Sequence, residues 1–188
     1  MINYLITDPK YYTNDPIIFS SILEKVLKYK TISMACFRDK ISPNAKELAS
    51  IFLRICKKYN IEKILINSNI SLAKDLGFDG VHLTSLQFDK INELNINNLF
   101  SIISCHNEDE IKLAIKYNAN MITYSPIFDT PNKGNPKGIK QLDSIVKKYN
   151  IPIIALGGII NDNHIKFISK TNVKGFASIR YFIDMLRV

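Results

Sequence analysis

The chain has no tryptophan, three cysteines and three histidines, and acids are fewer than bases. Each shortage closes off a class of protein. Cys36, Cys56 and Cys105 lie far apart and form no C-x-x-C pair, so neither a disulfide framework nor a cysteine zinc site is expected. His82, His106 and His164 are too few for a nitrogen-rich metal centre. No apolar run approaches the ~18 residues that cross a membrane. The start, Met1-Ile2-Asn3-Tyr4, has no basic segment leading into a long apolar one, so no signal peptide and no membrane partner are expected. A reducing cytoplasm fits this pattern. What is present is ordinary: 46% apolar and 22% charged residues in 188, the size of one globular domain spanning 1–188. The net charge of +8 comes from 25 Lys and Arg against 17 Asp and Glu. The bases form no block of five or six, and Ile, Asn and Lys are abundant throughout. An anionic small molecule is therefore the expected partner, and nucleic acid is not.

Short apolar runs alternate with longer amphipathic stretches. The runs predict strands over 3–7, 31–37, 63–67, 80–83, 100–104, 120–124, 152–156 and 174–178. The stretches predict helices over 17–29, 44–59, 70–76, 88–94, 108–117, one ending at 149, one over 163–169 and a short one ending at 188. Eight strand–helix units of about 23 residues predict a small α/β fold, a closed (β/α)8 TIM barrel of parallel strands. An open doubly wound sheet is the alternative. Against it, no G-x-G-x-x-G follows the first strand, and the turn over 8–12 has no glycine.

Barrel chemistry sits at the C-terminal ends of the strands. That rule selects Arg38 and Lys40 after strand two, Asn67 after strand three, His106 after strand five, and Thr130 and Lys133 after strand six. It also selects Gly157 and Gly158 after strand seven, and Ser178, Ile179 and Arg180 where the last helix begins. The two glycines let backbone amides approach an anion, and the helix start adds free amides and an arginine fork, so this end is the expected phosphate site. The plain alternative is a tight turn. Arg38 and Lys40, two residues apart on an extension of the strand, point the same way. With Lys133 they form a second cationic point. His106 is the candidate acid–base group. His82 is expected to be a satisfied interior side chain, His164 a surface helix position and Cys105 a packed small residue.

These pieces, in this order, resemble the thiamine phosphate synthase/TenI superfamily of small barrels over nearly the whole chain. The resemblance rests on Tyr4-Leu5-Ile6-Thr7-Asp8, Phe37-Arg38-Asp39-Lys40, Ile66-Asn67, Gly80-Val81-His82-Leu83 and Ser104-Cys105-His106. It continues through Pro126-Ile127-Phe128-Asp129-Thr130 with Lys133, Ala155-Leu156-Gly157-Gly158-Ile159 and Gly175-Phe176-Ala177.

The resemblance implies two activities, and the departures weigh between them. The synthase joins a pyrimidine diphosphate to a thiazole phosphate and needs Mg²⁺, held by an Asn-Asp after strand three and an Asp after the His-Leu of strand four. Here Ser68 replaces the first acid, Thr84-Ser85-Leu86-Gln87-Phe88 fills the second region with Asp89 displaced, and Asn132 replaces a threonine. Mg²⁺ usually needs one or two carboxylates. The branch without them resembles the thiazole tautomerase, which isomerises a carboxythiazole phosphate to its aromatic form without metal or other cofactor. There the Ser-x-His after strand five makes His106 the proton carrier. The expected function is accordingly a thiazole tautomerase. The alternatives are a synthase with an atypical Mg²⁺ site and a non-catalytic binder of thiazole or thiamine phosphate. A homo-oligomer is compatible with all three.

Overall fold

Two apolar layers organise the chain, and strand alternation creates them. A computed structural model describes residues 1–183. Among these, eight strands run β1 (Ile2–Ile6), β2 (Met34–Phe37), β3 (Lys63–Asn67), β4 (Gly80–Leu83), β5 (Phe100–Cys105), β6 (Met121–Tyr124), β7 (Ile153–Leu156) and β8 (Gly175–Ser178). Each pairs in parallel with the next, and β8 returns to β1, closing the barrel. The helices are α1 (Pro9–Tyr12), α2 (Pro16–Tyr29), α3 (Ala45–Lys58), α4 (Ile70–Leu76), α5 (Ile91–Ile96), α6 (Glu108–Lys116), α7 (Gly138–Lys148), α8 (Asp162–Ile168) and α9 (Arg180–Ile183). A 3-10 turn, Phe88–Lys90, leads into α5. None of these helices is long and apolar enough to cross a membrane.

Parallel strands covered on both faces read as continuous apolar runs. On β1, Tyr4 and Ile6 face the barrel axis with Met34, Cys36, Leu65, Ile102, Met121, Ile154 and Ala177. Leu5, between them, joins the larger shell under the helices. Phe52 of α3 anchors that shell, fully buried and within 5.7 Å of the Phe37 ring. Truncating it to alanine costs about 3–5 kcal/mol by comparison with similar core sites.

Local signals set the ends. Asp15 caps α2 by accepting from the amides of Ile17 and Ile18, with Pro16 at the first helical position. Asn107 caps α6 through the Glu110 amide.

The expected architecture is present, with differences at boundaries. β2 begins at Met34 rather than at 31, and α1 occupies what reads as a turn. Asp8, followed by Pro9, is the N-cap signal of a helix too short to show a period. The segment expected as one helix over 88–94 divides into the 3-10 turn and α5. Of the expected terminal helix, α9 accounts for Arg180–Ile183, and its remainder to 188 lies outside the described residues.

Candidate active site

The barrel axis is filled, so the site has a floor. Tyr4 and His82 lie at its centre, both buried, with Tyr4 Oη 3.0 Å from His82 Nδ1. On the other side of the ring, Nε2 lies 3.2 Å from Ser104 Oγ and 3.5 Å from Thr123 Oγ1. Burial, and then the charge of Arg38, push the His82 pKa down to about 4. Cys36 beside them is pushed up to about 12 by burial. His82 is thus the satisfied interior side chain expected from its position.

Arg38 stands above this floor. Its amide donates to Thr7 Oγ1 at 2.8 Å, and its guanidinium pairs with the carboxylate of Asp8. The other Asp8 oxygen caps α1 through the Lys10 amide at 3.1 Å. Asp8, just past the end of β1, is thus a strand-end residue that belongs to neither the cations nor the acid–base groups expected at the mouth. Lys40 is placed differently from expectation. β2 ends at Phe37, and Asp39 Oδ1 accepts from the amides of Ile41 and Ser42, which turns the chain. The alternation of a strand therefore does not extend to position 40, and Lys40 is exposed. Lys133 is also exposed, in a turn where its amide donates to the Thr130 carbonyl. The three cations do not share one set of contacts.

His106 continues the inward face of β5, two residues beyond Ser104. Its amide donates to Glu110 Oε2 at 2.6 Å, tying it to the first turn of α6. Nδ1 lies 3.2 Å from the Ser125 carbonyl oxygen and 3.1 Å from its hydroxyl. A carbonyl only accepts, so the ring proton belongs on Nδ1 and the lone pair on Nε2. The result is a half-buried imidazole with a fixed orientation and an available basic nitrogen. Cys105, next to it, points into the shell, and burial raises its pKa, with a further rise from Glu110. It is inert packing.

The loop after β6 crosses to the end of β7. Ile127 and Phe128 donate to the Leu156 and Gly157 carbonyls, each at 3.0 Å. Gly157 and Gly158 have φ of +99° and +70°. A Cβ on Gly157 would lie 2.7 Å from Pro126 Cα, and one on Gly158 would lie 2.5 Å from the Asp129 carbonyl oxygen. Glycine is required here both for its backbone angle and for this close approach. The tight-turn reading is therefore satisfied, and the amides remain. Among the described residues, the backbone N–H groups of Gly157, Gly158, Ile179 and Arg180 donate to no protein acceptor. The Ser178 hydroxyl is committed to the fold, donating to the Ile159 carbonyl at 2.7 Å and accepting from the Tyr181 amide. Arg180, half-buried, is the first residue of α9. Thr130 turns its hydroxyl to the Phe128 carbonyl at 2.9 Å. His164 differs from the expected surface position: its ring stacks on Phe128 with centroids 4.0 Å apart, holding this loop to α8.

Across the mouth, the ends of β3 and β4 are tied by neutral groups. Asn67 Nδ2 donates to the His82 carbonyl at 2.8 Å. Gln87 Oε1 accepts from both the amide and the hydroxyl of Thr84, at 3.0 and 3.1 Å, and Gln87 Nε2 reaches the Ser68 carbonyl at 3.4 Å. Asp89 is exposed in the 3-10 turn, 3.7 Å from Lys90. Among the described residues no group of three or more His, Cys, Asp or Glu is placed to hold a metal ion.

Fold and mouth together define a (β/α)8 barrel with an imidazole Nε2 on one wall and, among the described residues, backbone amides without protein acceptors on another. The chain belongs to the thiamine monophosphate synthase (TMP-TENI) family, whose profile matches residues 3–182. It is 36% identical over 186 residues to a putative thiamine-phosphate synthase 2 of Aquifex aeolicus, covering 96% of this chain and 97% of that one. It is 31% identical over 170 residues to thiamine-phosphate synthase 1 of Streptococcus pneumoniae R6, covering 85% and 79%. The fold is similar to that of a thiamine phosphate pyrophosphorylase from Pyrococcus furiosus, with a TM-score of 0.81 at 24% identity over 95% of this chain and 85% of that one. The first two relatives carry the synthase name, and none of the three is named a tautomerase.

A synthase of this family implies Mg²⁺, and the residues here do not fit one. Magnesium takes hard oxygen ligands with one or two carboxylates among them. The ends of β3 and β4 offer Asn67, Ser68, Thr84 and Gln87, all neutral, and the Gln87 carboxamide is engaged at both its oxygen and its nitrogen.

Proposed function

We propose that the protein isomerises a carboxythiazole phosphate to its aromatic tautomer, with His106 as the proton carrier. The observation that carries this reading is the pairing of an oriented His106 Nε2 with ends of β3 and β4 that carry only neutral groups. The phosphate occupies the amides of Gly157, Gly158, Ile179 and Arg180, where helix start and turn favour negative charge. Arg38 faces the substrate carboxylate, with Lys40 and Lys133 contributing longer-range attraction and Asn67 and Thr130 lining the rim.

The chemistry follows from that placement. Nε2 of His106 takes the proton from the ring carbon that bears the carboxylate. The electron pair of the broken C–H bond moves into the ring, and the pair of the exocyclic double bond takes a proton back from the imidazolium. One proton leaves and one returns, with no net oxidation, and aromatic stabilisation drives the exchange. General acid–base catalysis of this kind contributes about 10²–10⁴-fold. The reading calls for no metal and no organic cofactor, and for a cytoplasmic setting where such a phosphate is made.

The names of the relatives favour a second reading, the synthase, and Arg38, Lys40, Asn67 and Lys133 match its expected diphosphate contacts. One experiment separates the two. The purified protein is given the carboxythiazole tautomer, and separately the pyrimidine diphosphate plus thiazole phosphate, each with Mg²⁺ or with EDTA. The proposal expects EDTA-resistant isomerisation that falls about 10²–10⁴-fold in His106→Ala. Sustained Mg²⁺-dependent formation of thiamine phosphate would replace it with the synthase. Tight binding without turnover of either would make the protein a binder.

A further inference from the structure

The proton-transfer reading uses His106 and leaves a buried set of polar groups beneath it unexplained. Tyr4, His82, Ser104 and Thr123 form a hydrogen-bonded column inside an otherwise apolar barrel. Buried polar groups in such a core are costly unless each donor finds an acceptor, and this requirement fixes the direction of the bonds.

Tyr4 is fully buried, and burial, with Cys36 adding to it, raises its pKa well above the ordinary value, so it is a neutral phenol that must place its hydrogen. Two acceptors stand near: the Cys36 sulfur, whose own hydrogen goes to the Phe37 carbonyl at 3.6 Å, and His82 Nδ1 at 3.0 Å. A neutral imidazole nitrogen is a far better acceptor than sulfur. Tyr4 therefore donates to Nδ1. The ring, kept neutral by burial and by Arg38 above it, then carries its one proton on Nε2. That proton faces Ser104 Oγ at 3.2 Å in preference to Thr123 Oγ1 at 3.5 Å. Ser104 consequently accepts from below, and its own O–H has no other protein partner among the described residues. Ser104 is half-buried on the inward face of β5, one alternation below His106.

We propose that Tyr4 and His82 are positioning residues that hold the Ser104 hydroxyl as an oriented hydrogen-bond donor toward the substrate. The mouth then has two complementary groups on one strand, an acceptor at His106 and a donor at Ser104. The donor meets an oxygen that gains negative charge as the C–H bond breaks, namely the carboxylate attached to the reacting carbon. Only this last assignment rests on the tautomerase reading. The direction of the relay does not.

The test joins a measurement without substrate to one with it. Long-range ¹H–¹⁵N spectra of the full labelled chain report which nitrogen of His82 holds the proton, with the signals assigned by their loss in His82→Gln. The proposal expects Nε2 protonated and unchanged between pH 5 and pH 8, and a shift of proton population toward Nδ1 in Tyr4→Phe. A wild-type ring protonated on Nδ1 would overturn it, whatever reaction the protein performs. In the isomerisation assay, Ser104→Ala should lower kcat about 100-fold with little change in KM, as loss of one preorganised donor does. Tyr4→Phe should lower it about tenfold in the wild type and no further in Ser104→Ala. An equal loss in both backgrounds means that the pair supports only the fold. Absence of any isomerisation would sink the reading in the preceding section and leave the ring measurement to decide the relay.

Discussion

The two halves of the barrel mouth are built on opposite plans. At the ends of β7 and β8, shape decides: two glycines lie against the loop after β6, and four backbone amides find no acceptor among the described residues. At the ends of β3 and β4, side chains satisfy one another: Gln87 bridges Thr84 and Ser68, and Asn67 holds the His82 carbonyl. One half leaves donors open among the described residues, and the other is engaged in neutral bonds. The difference teaches that the two walls of the mouth are set apart by backbone placement and hydrogen-bond commitment, although the chain carries a net +8.

The largest test of that contrast is on the glycine side. Gly158→Ala meets a carbonyl oxygen at 2.5 Å from an unfavourable φ of +70° and should cost at least about 3 kcal/mol. Gly134→Ala has the same φ sign in open space and should cost only about 1 kcal/mol. Urea midpoints of the two variants check this. Equal losses would mean that the loop after β6 does not constrain the turn.

The second test concerns the floor. His82 has a folded pKa of about 4 against about 6.5 unfolded. Between these values the unfolded chain binds a proton that the folded chain does not, so stability falls as pH falls from 6.5 toward 4. The full effect is ~3 kcal/mol, developing as pH drops below 6.5 and complete near 4. Melting curves between pH 7 and pH 4.5 should show a steeper loss for wild type than for His82→Gln, since the remaining groups titrate alike in both. Parallel losses would refute the assignment.

The smallest effect is expected at the exposed rim. Lys133→Ala should weaken binding of an anionic ligand by no more than about threefold, with the deficit vanishing at high salt. A tenfold loss that survives salt, measured by titration calorimetry, would move Lys133 into the binding cradle.

The barrel was legible in the sequence because each strand is a short apolar run and each helix has its own period. The positions of His106 and the two glycines were legible too, since strand ends locate them, and the burial of His82 was legible from its place within a strand. How side chains are committed was not. Ser178 reads as a ligand and is a cap; Arg38 reads as half of a cation pair and is held by Asp8. Lys40 lies beyond an Asp39 turn that alternation ignores. His164 looks peripheral because its partner, Phe128, comes from a distant loop. Such commitments are long-range hydrogen bonds and stacks, and local pattern carries no information about them.

The packed interior has a consequence for traffic. Ile2 and Phe100 close the lower end beneath Tyr4, Met34 and Met121, and the Lys63 ammonium lies over the Phe100 ring at 5.4 Å. Among the described residues the packed axis offers no passage to the far end, so a molecule taken up at the mouth would enter and leave by one doorway. Under the proposed function, arrivals and departures would alternate through it, so a spent molecule would block its successor until it left, and the two would compete head-on for the same threshold.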